Sequence, residues 1–349
     1  CIVWKVNVSF KLNKKCMDPK NILVIAIARF GDTLLITPVI HALKERWPNA
    51  RIHVLAHKRS ACILQHNPDI FSVKPFSKKR ARWRGWLPHK PYDLALVYGN
   101  DHSLVQYARR QSQHVVAFAE NNQKQSDITW VAYPKELMVA QKERALLINA
   151  LGIYPTNWQL RYSISSEEKQ FAQQFIESNA LINKHIIGLQ LQSFPAKAYR
   201  DWPIEHFLQL AKQIMTHDEQ AYFLLLGGKE SQQVAIELAK KIGTEHCLAL
   251  AGQVSMRENA AIMAHLSLYI GVDTGPTHLA GALGIPMVAM YHSYHPGCYL
   301  APLQHSCCHI IQHPIALADA SREDSMSDIS VANVWHAVSD ILNGIKVKQ

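Results

Sequence analysis

Apolar runs of strand length alternate with amphipathic stretches along most of the chain. The runs lie at residues 22–28, 51–56, 92–98, 185–191, 222–226, 269–272 and 287–290. Such runs are typical of parallel strands, which are buried on both faces. Helices are indicated at 34–47, 142–151, 166–179 and 331–342, and within 251–264 Ser255 is expected to cap a further helix. This alternation predicts an α/β fold.

The pattern of strand, turn and helix occurs in both halves of the chain. Strand 22–28 leads through a Gly-Asp turn into a helix, and strand 185–191 leads through a loop at 192–201 into a helix near Trp202-Pro203. A chain of 349 residues exceeds the usual size of a single core, so two domains are expected. The helical pattern breaks at Pro155. We therefore predict an N-terminal extension at 1–20 and domains at 21–160 and 161–349.

The most informative stretch of the chain lies at 269–291. It predicts a strand, a turn at Asp273-Thr274-Gly275, a helix that begins near Pro276, and a second strand. The amides and dipole of a helix start favour an anion, and Gly275 would let a phosphate approach the main chain. The stretch therefore indicates a site for a nucleotide diphosphate. Alternatively, Asp273 is an ordinary N-cap. His278, one turn into the helix, is either a further donor or a packed imidazole.

Other predicted site residues follow the carboxyl ends of strands, where ligands bind in parallel α/β sheets. Asp32 follows the first strand and is either a general base or a helix cap. Lys197 and Arg200 lie in the 192–201 loop, and each is either a phosphate ligand or a solvent-facing charge. Glu230 follows two glycines after strand 222–226, at a place suited to a carboxylate that binds ribose hydroxyls.

The net charge of +10 and the pI near 9.2 indicate an anionic partner. The densest basic cluster, at 78–86, contains Arg80, Arg82 and Arg84 with two interleaved tryptophans. From its composition the cluster is a solvated loop, a nucleic-acid patch, or a loop that binds phosphate near a membrane.

Several classes of protein and site are disfavoured. No apolar run approaches the ~20 residues of a membrane-spanning helix, and the first residues lack the pattern of a secretion signal, so we expect a cytoplasmic protein. Seven irregularly spaced cysteines fit reduced thiols. The histidines and cysteines at 292–313 are types that zinc prefers, but their spacing matches no recognised ligand arrangement.

The string Asp-Thr-Gly-Pro-Thr-His-Leu-Ala-Gly-Ala-Leu-Gly-Ile-Pro at 273–286 resembles the signature of the family 9 glycosyltransferases, the ADP-heptose:lipopolysaccharide heptosyltransferases. The passage at 22–69, with its Gly-Asp turn, and the Ser-x-Arg-Glu pattern at 255–258 resemble the same family. The resemblance extends over 21–342. It implies the GT-B fold, in which two Rossmann-like domains with parallel sheets face a central cleft.

The resemblance also implies an activity. This is the inverting, metal-independent transfer of heptose from ADP-heptose to the inner core of lipopolysaccharide, without a cofactor. Asp32 would be the general base, and Arg200 stands where the family commonly has a lysine. The arginines of the basic cluster would bind the acceptor at the inner face of the cytoplasmic membrane, and no nucleic acid is expected as a partner. The donor would be bound by Lys197, Arg200, Glu230, Asp273, Thr274, Gly275 and His278.

Within the family, the passage at 29–43 resembles the enzymes that add a branching third heptose more than those that add the first. Two other functions stay open. One is that of another nucleotide-sugar glycosyltransferase of the same architecture, and the other is that of a non-catalytic protein that binds a nucleotide sugar, or a nucleic acid through the basic cluster.

Overall fold

The computed structural model describes residues 18–84, 89–119 and 127–346. Nearly all of the predicted N-terminal extension, and Gly85 and Trp86 of the basic cluster, lie outside the described residues. The chain forms two compact units. The first consists of Cys1–Arg29, Ile36–Glu136 and Lys142–Asn157, and the second consists of Phe30–Leu35, Leu137–Gln141 and Trp158–Gln349.

The first unit is built on a six-stranded parallel sheet with strand order β3-β2-β1-β4-β5-β6. Val24 in the central strand pairs with Val54 on one side and Leu96 on the other. The strands are β1 (Asn21–Ala26), β2 (Arg51–His57), β3 (Ser72–Phe76), β4 (Tyr92–Tyr98), β5 (Ser112–Ala119) and β6 (Ile128–Ala132). Its helices are α2 (Thr37–Arg46), α3 (Lys78–Trp83), α4 (His102–Gln111) and most of α5 (Ala140–Asn149), while α1 (Phe30–Leu34) is counted with the second unit.

The second unit has a six-stranded parallel sheet with strand order β12-β11-β10-β7-β8-β9. The strands are β7 (His185–Gln190), β8 (Ala221–Leu226), β9 (Cys247–Ala249), β10 (Leu268–Val272), β11 (Met287–Tyr291) and β12 (Cys308–Gln312). The helices are α6 (Ser166–Ser178), α7 (Ile204–His217), α8 (Gln232–Ile242), α9 (Met256–Met263), α10 (Gly275–Leu283), α11 (Gly297–Leu300) and α12 (Val331–Lys346). The two sheets confirm the predicted α/β class.

Trp202 anchors the start of α7 in the core of the second unit. Its side chain is 1% exposed and lies edge-on to Phe207, with ring centroids 4.9 Å apart. The indole Nε1 donates to the carbonyl of Ile329 at 2.8 Å, which satisfies its one polar group. The loop that precedes α7 therefore ends at a fixed point.

Two local predictions were wrong. The helix predicted at 34–47 is split into α1 and α2, because Pro38 has no amide hydrogen with which to continue α1 into α2. The basic cluster was predicted as a loop, but Lys78–Trp83 forms the helix α3. The Ser77 hydroxyl caps α3 by accepting from the Arg80 amide at 3.3 Å. This N-cap serine was the sequence signal for a helix, and it was overlooked because the cluster was judged by its basic composition.

Candidate active site

Helix α1, which carries Asp32, packs against the start of α10 within the second unit. Gly31 faces the ring of His278, and a Cβ at Gly31 would lie 2.6 Å from His278 Cδ2. Gly275 faces Phe30 in the same way, and a Cβ there would lie 2.6 Å from Phe30 Cδ1. Real Cβ atoms do not come so close, so each glycine admits an aromatic ring of the other helix. We call this pair of contacts the glycine interlock.

Helix α10 begins at Gly275, next to Pro276 as predicted, but Asp273 does not cap it. Its N-cap is Thr274, whose side chain makes no capping hydrogen bond. Pro276 lacks an amide hydrogen, and the amides of Thr277 and His278 donate to the Thr274 carbonyl at 3.1 and 3.4 Å. The amides of Thr274 and Gly275 are therefore the candidates for an anion at this helix start.

Asp273 forms an ion pair with Arg200. Arg200 Nη1 donates to Asp273 Oδ2 and, at 3.2 Å, to the Asp273 carbonyl. The side chains of Arg200 and Asp273 are 15% and 6% exposed, so the pair is largely shielded from water. His278 Nε2 lies 3.8 Å from the other carboxylate oxygen. The carboxylate thus lies between a guanidinium and an imidazole at the beginning of α10.

Two buried hydroxyls attach α10 to the sheet. Thr277 Oγ1 donates to the carbonyl of Val272 and lies 2.9 Å from Tyr269 Oη. Burial raises the pKa of Tyr269, so its hydroxyl stays protonated and available for this contact. Gly271 makes room for it, since a Cβ there would lie 2.7 Å from Tyr269 Oη. Sequence reasoning missed Tyr269 and Thr277, although the glycine in the middle of a strand was a signal of close packing.

The predicted donor loop contains a 3₁₀ helix, Pro195–Arg200, that brings its two cations together. Lys197 Nζ and Arg200 Nε both donate to the hydroxyl of Tyr199, at 3.4 and 3.5 Å. Tyr199 Oη also lies 2.8 Å from Nε2 of His295, in the loop after β11. Neither Tyr199 nor His295 was predicted.

The base of this loop is closed by Asp201. Its Oδ1 accepts from the amide of Ser193 at 2.7 Å and lies 2.6 Å from the Ser193 hydroxyl. Burial raises the pKa of the Asp201 carboxyl, although the bonds from Ser193 and the charge of Arg200 oppose that rise. Together with the buried Trp202, this clamp fixes both ends of the 3₁₀ helix.

Glu230 lies apart from this group. It belongs to the 3₁₀ helix Lys229–Ser231 after β8, is exposed, and folds over Gly228, where a Cβ would lie 2.3 Å from Glu230 Oε1. Two neighbouring glycines have positive φ angles, +156° at Gly227 and +71° at Gly252, where a Cβ would lie 2.9 Å from Lys229 Cα. No described contact joins Glu230 to Arg200 or Asp273.

The basic cluster lies in the first unit, on and just after α3. Arg80, Arg82 and Arg84 are exposed, and Trp83 is 84% exposed. Arg110 of α4 donates through Nη2 to the carbonyl of Ala81 in α3 at 2.6 Å and to the carbonyl of Arg84, directly after α3, at 3.1 Å. A firmly attached helix therefore presents arginines and an indole to solvent.

Two histidines of the 292–313 segment, His292 and His313, use both ring nitrogens in hydrogen bonds to the main chain. His292 Nδ1 accepts from the amide of Tyr294 at 3.1 Å, and its Nε2 then donates to the carbonyl of Asp324 at 3.0 Å. His313 uses both nitrogens in the same way. Within 18–84, 89–119 and 127–346, no group of three His, Cys, Asp or Glu side chains is placed to hold a metal ion. The five described cysteines of the chain are all free.

Comparison with known proteins now identifies the family. The model of glycosyltransferase family 9 (heptosyltransferase) matches residues 88–330. The chain belongs to this family. It is therefore a glycosyltransferase, and the predicted enzyme class is confirmed.

Lipopolysaccharide heptosyltransferase 3 of Escherichia coli is 23% identical over 278 residues, which cover 75% of this chain and 80% of that protein. Lipopolysaccharide heptosyltransferase 2 of E. coli K12 is 24% identical, with coverage of 92% and 98%.

Solved structures of other family 9 glycosyltransferases have the same fold as this chain. The family 9 glycosyltransferase from Veillonella parvula superposes with a TM-score of 0.80 at 19% identity, covering 93% of this chain and 98% of that chain. The E. coli ADP-heptose heptosyltransferase II gives a TM-score of 0.76 at 22% identity, with coverage of 93% and 99%. The predicted GT-B fold class is confirmed. Among the described helices, none has both the length and the apolar character needed to cross a bilayer.

Proposed function

We propose that this family 9 glycosyltransferase transfers heptose from ADP-heptose to the inner core of lipopolysaccharide. The curated relatives named above act in lipopolysaccharide synthesis, and heptosyltransferases 2 and 3 are similarly distant from this chain. The observation that carries the proposal is the glycine interlock, which attaches the helix of Asp32 to the helix start that would bind the leaving diphosphate.

Asp32 acts as the general base in this proposal. Asp32 directly follows Gly31, which contacts His278 of α10. The Asp32 carboxylate therefore belongs to a helix that packs against α10, the helix whose start would bind the donor diphosphate. Asp32 would take the proton of the acceptor hydroxyl while the oxygen attacks the anomeric carbon from the face opposite the departing ADP. The configuration at that carbon is therefore inverted.

The leaving diphosphate is stabilised by cations of the protein. Arg200 and the amides at the start of α10 lie next to Asp273, and Lys197 is joined to Arg200 through the hydroxyl of Tyr199. A guanidinium has five N–H donors, so pairing with Asp273 through Nη1 is compatible with a phosphate contact through others. Negative charge on ADP grows as the glycosidic bond breaks, so these groups bind the transition state more strongly than the ground state. We propose that the reaction needs no metal ion for this reason.

The remaining predicted residues have supporting roles. His278 has a buried Nδ1 without a partner among the described residues, and it adjusts the Asp273 carboxylate or donates to the donor substrate. Glu230 binds ribose hydroxyls beyond the carboxyl end of β8.

The acceptor is bound by the first unit at the membrane surface. Arg80, Arg82 and Arg84 suit the phosphates of a lipopolysaccharide core, and exposed Trp83 suits the interface of a bilayer. The enzyme would then act in the cytoplasm, peripheral to the inner face of the cytoplasmic membrane.

One assay tests the proposal. Purified protein is incubated with ADP-heptose and a series of truncated core acceptors, and the product mass, linkage and anomeric configuration are measured. We expect one heptose to be added with inversion, at an unchanged rate after chelation by EDTA. Retention of configuration, or activity lost with EDTA and restored by Mn²⁺, would contradict the mechanism. Transfer from a different nucleotide sugar would contradict the donor.

A further inference from the structure

Two cations of the donor loop lie on one face of a 3₁₀ helix. A 3₁₀ helix has three residues per turn, so side chains at positions i and i+3 lie above one another. Lys197 and Arg200 have this spacing within Pro195–Arg200. Like charges at such a separation repel, so another group is needed to hold both cations toward one anion.

The hydroxyl of Tyr199 lies between the two cations. It accepts from Lys197 Nζ at 3.4 Å and from Arg200 Nε at 3.5 Å. The ring contributes as well, because Lys197 Nζ and Arg200 Cζ lie 5.7 and 5.6 Å from its centroid, within cation–π range. Ammonium and guanidinium groups only donate, so the proton of the Tyr199 hydroxyl must point to a third group.

His295 is that third group. Its Nε2 lies 2.8 Å from Tyr199 Oη and accepts the hydroxyl proton, which requires a neutral ring protonated at Nδ1. Burial, with the charges of Arg200 and Lys197 second, lowers the pKa of His295 to about 4, so the ring is neutral near pH 7. The His295 amide donates to the carbonyl of His292 at 2.9 Å, and the His292 ring lies edge-on to Tyr199.

The Tyr199–His295 hydrogen bond also spans the site. Tyr199 lies in the loop after β7 and His295 in the loop after β11, and these strands flank β10 in the sheet. Asp273 directly follows β10. The bond therefore connects the two loops on either side of the turn that leads into α10.

We propose that Tyr199, with His295 as its hydrogen-bond acceptor, is a positioning residue that sets the spacing of Lys197 and Arg200 for the two phosphates of a nucleoside diphosphate. This inference rests on the proposed function, because it takes the ADP moiety as the ligand of those cations. It predicts that the hydroxyl of Tyr199 contributes to the binding of the diphosphate and not of the nucleoside.

The test compares ADP with adenosine by calorimetric titration of the full-length protein. Tyr199→Phe removes only the hydroxyl, and we expect it to weaken ADP binding roughly tenfold, the scale of one hydrogen bond to a charged group. Adenosine affinity and the melting temperature should stay near wild type. Tyr154→Phe is the matched control, since Tyr154 is 69% exposed in the other unit, and it should change neither affinity.

A second pair of variants tests the role of the acceptor. His295→Gln retains an oxygen that accepts from Tyr199, whereas His295→Leu has none, so Gln should keep most of the ADP affinity that Leu loses. The inference is overturned if Tyr199→Phe binds ADP as wild type does, or weakens ADP and adenosine equally. The proposed function alone would be overturned if these variants change ADP affinity as expected but the wild-type protein transfers no heptose. Wild-type protein that binds ADP no more tightly than adenosine would overturn both.

Discussion

The variant Gly275→Ala tests whether this position must be glycine because α1 and α10 pack there or because a phosphate approaches the main chain. The sequence suggested that Gly275 lets a phosphate approach the main chain, but its open side is occupied by Phe30. In Gly275→Ala the new Cβ would lie 2.6 Å from Phe30 Cδ1 and 3.3 Å from Phe30 Cγ. Carbon atoms in contact prefer ~3.5–4.0 Å, so α1 and α10 must separate by about 1 Å.

We expect this separation to reduce both stability and catalysis. Overpacking by one methyl group costs about 1–3 kcal/mol, and the displaced helix carries Asp32. Misplacement of a reacting group by ~1 Å can cost ~100-fold, so kcat/KM should fall by roughly 10- to 100-fold. The assays are thermal unfolding, ADP affinity and steady-state heptose transfer. Gly344→Ala is the matched control, because a Cβ at Gly344, in α12, would have no atom within 4 Å.

A double-mutant cycle combines Gly275→Ala with Phe30→Ala, which removes the ring that the new methyl group contacts. If packing is the reason for the glycine, Gly275→Ala should cost much less in the Phe30→Ala background than in wild type. A coupling of at least ~1 kcal/mol is expected for residues in contact. Additive effects, with ADP affinity lost equally in both backgrounds, would refute this reasoning and return Gly275 to a direct role with phosphate.

Four further predictions concern the site and the basic cluster. Asp32→Asn should lower kcat by ~10²–10⁴-fold with near-normal ADP affinity, and an equal loss in both would indicate a structural role. Arg200→Ala should lower stability by roughly 3 kcal/mol in thermal unfolding because it leaves the Asp273 carboxylate buried and unpaired, whereas Lys197→Ala should weaken ADP binding without that loss. Burial acts to raise the pKa of Tyr199, but Arg200 and Lys197 outweigh it and lower that pKa. As pH rises toward 10, the tyrosinate should therefore compete with ADP for these cations, and the resulting loss of affinity should be absent from Tyr199→Phe. Trp83→Ala should reduce sedimentation with anionic vesicles, and unchanged sedimentation would contradict the membrane-facing role of α3.

Much of the fold was predictable because its signals are local. Continuous apolar runs identified most of the central strands of both sheets, and Ser255, predicted as a helix cap, is the N-cap of α9, where it forms a capping box with Glu258. The split of the helix predicted at 34–47 into α1 and α2 was missed because the apolar spacing continues across Pro38. At α3, charge obscured a short helix whose only clear signal was Ser77.

The candidate site was only partly predictable because its partners are distant along the chain. Arg200 and Asp273 are 73 residues apart, and Tyr199 and His295 are 96 residues apart. Motif reasoning found Arg200 and Asp273 singly but not their ion pair. It missed Tyr199 and His295, because a tyrosine beside basic residues and a histidine among many others carry no distinctive local pattern.

The assignment of α1 to the second unit has a practical consequence for engineering acceptor choice. Exchanging the N-terminal halves of two family members at the boundary near Asn157 would replace Phe30–Leu35 along with them. A chimaera made in this way inherits its α1 from one parent and its α10 from the other. Functional hybrids should therefore be selected for matched aromatic and glycine residues at positions 30, 31, 275 and 278 before any loop is redesigned.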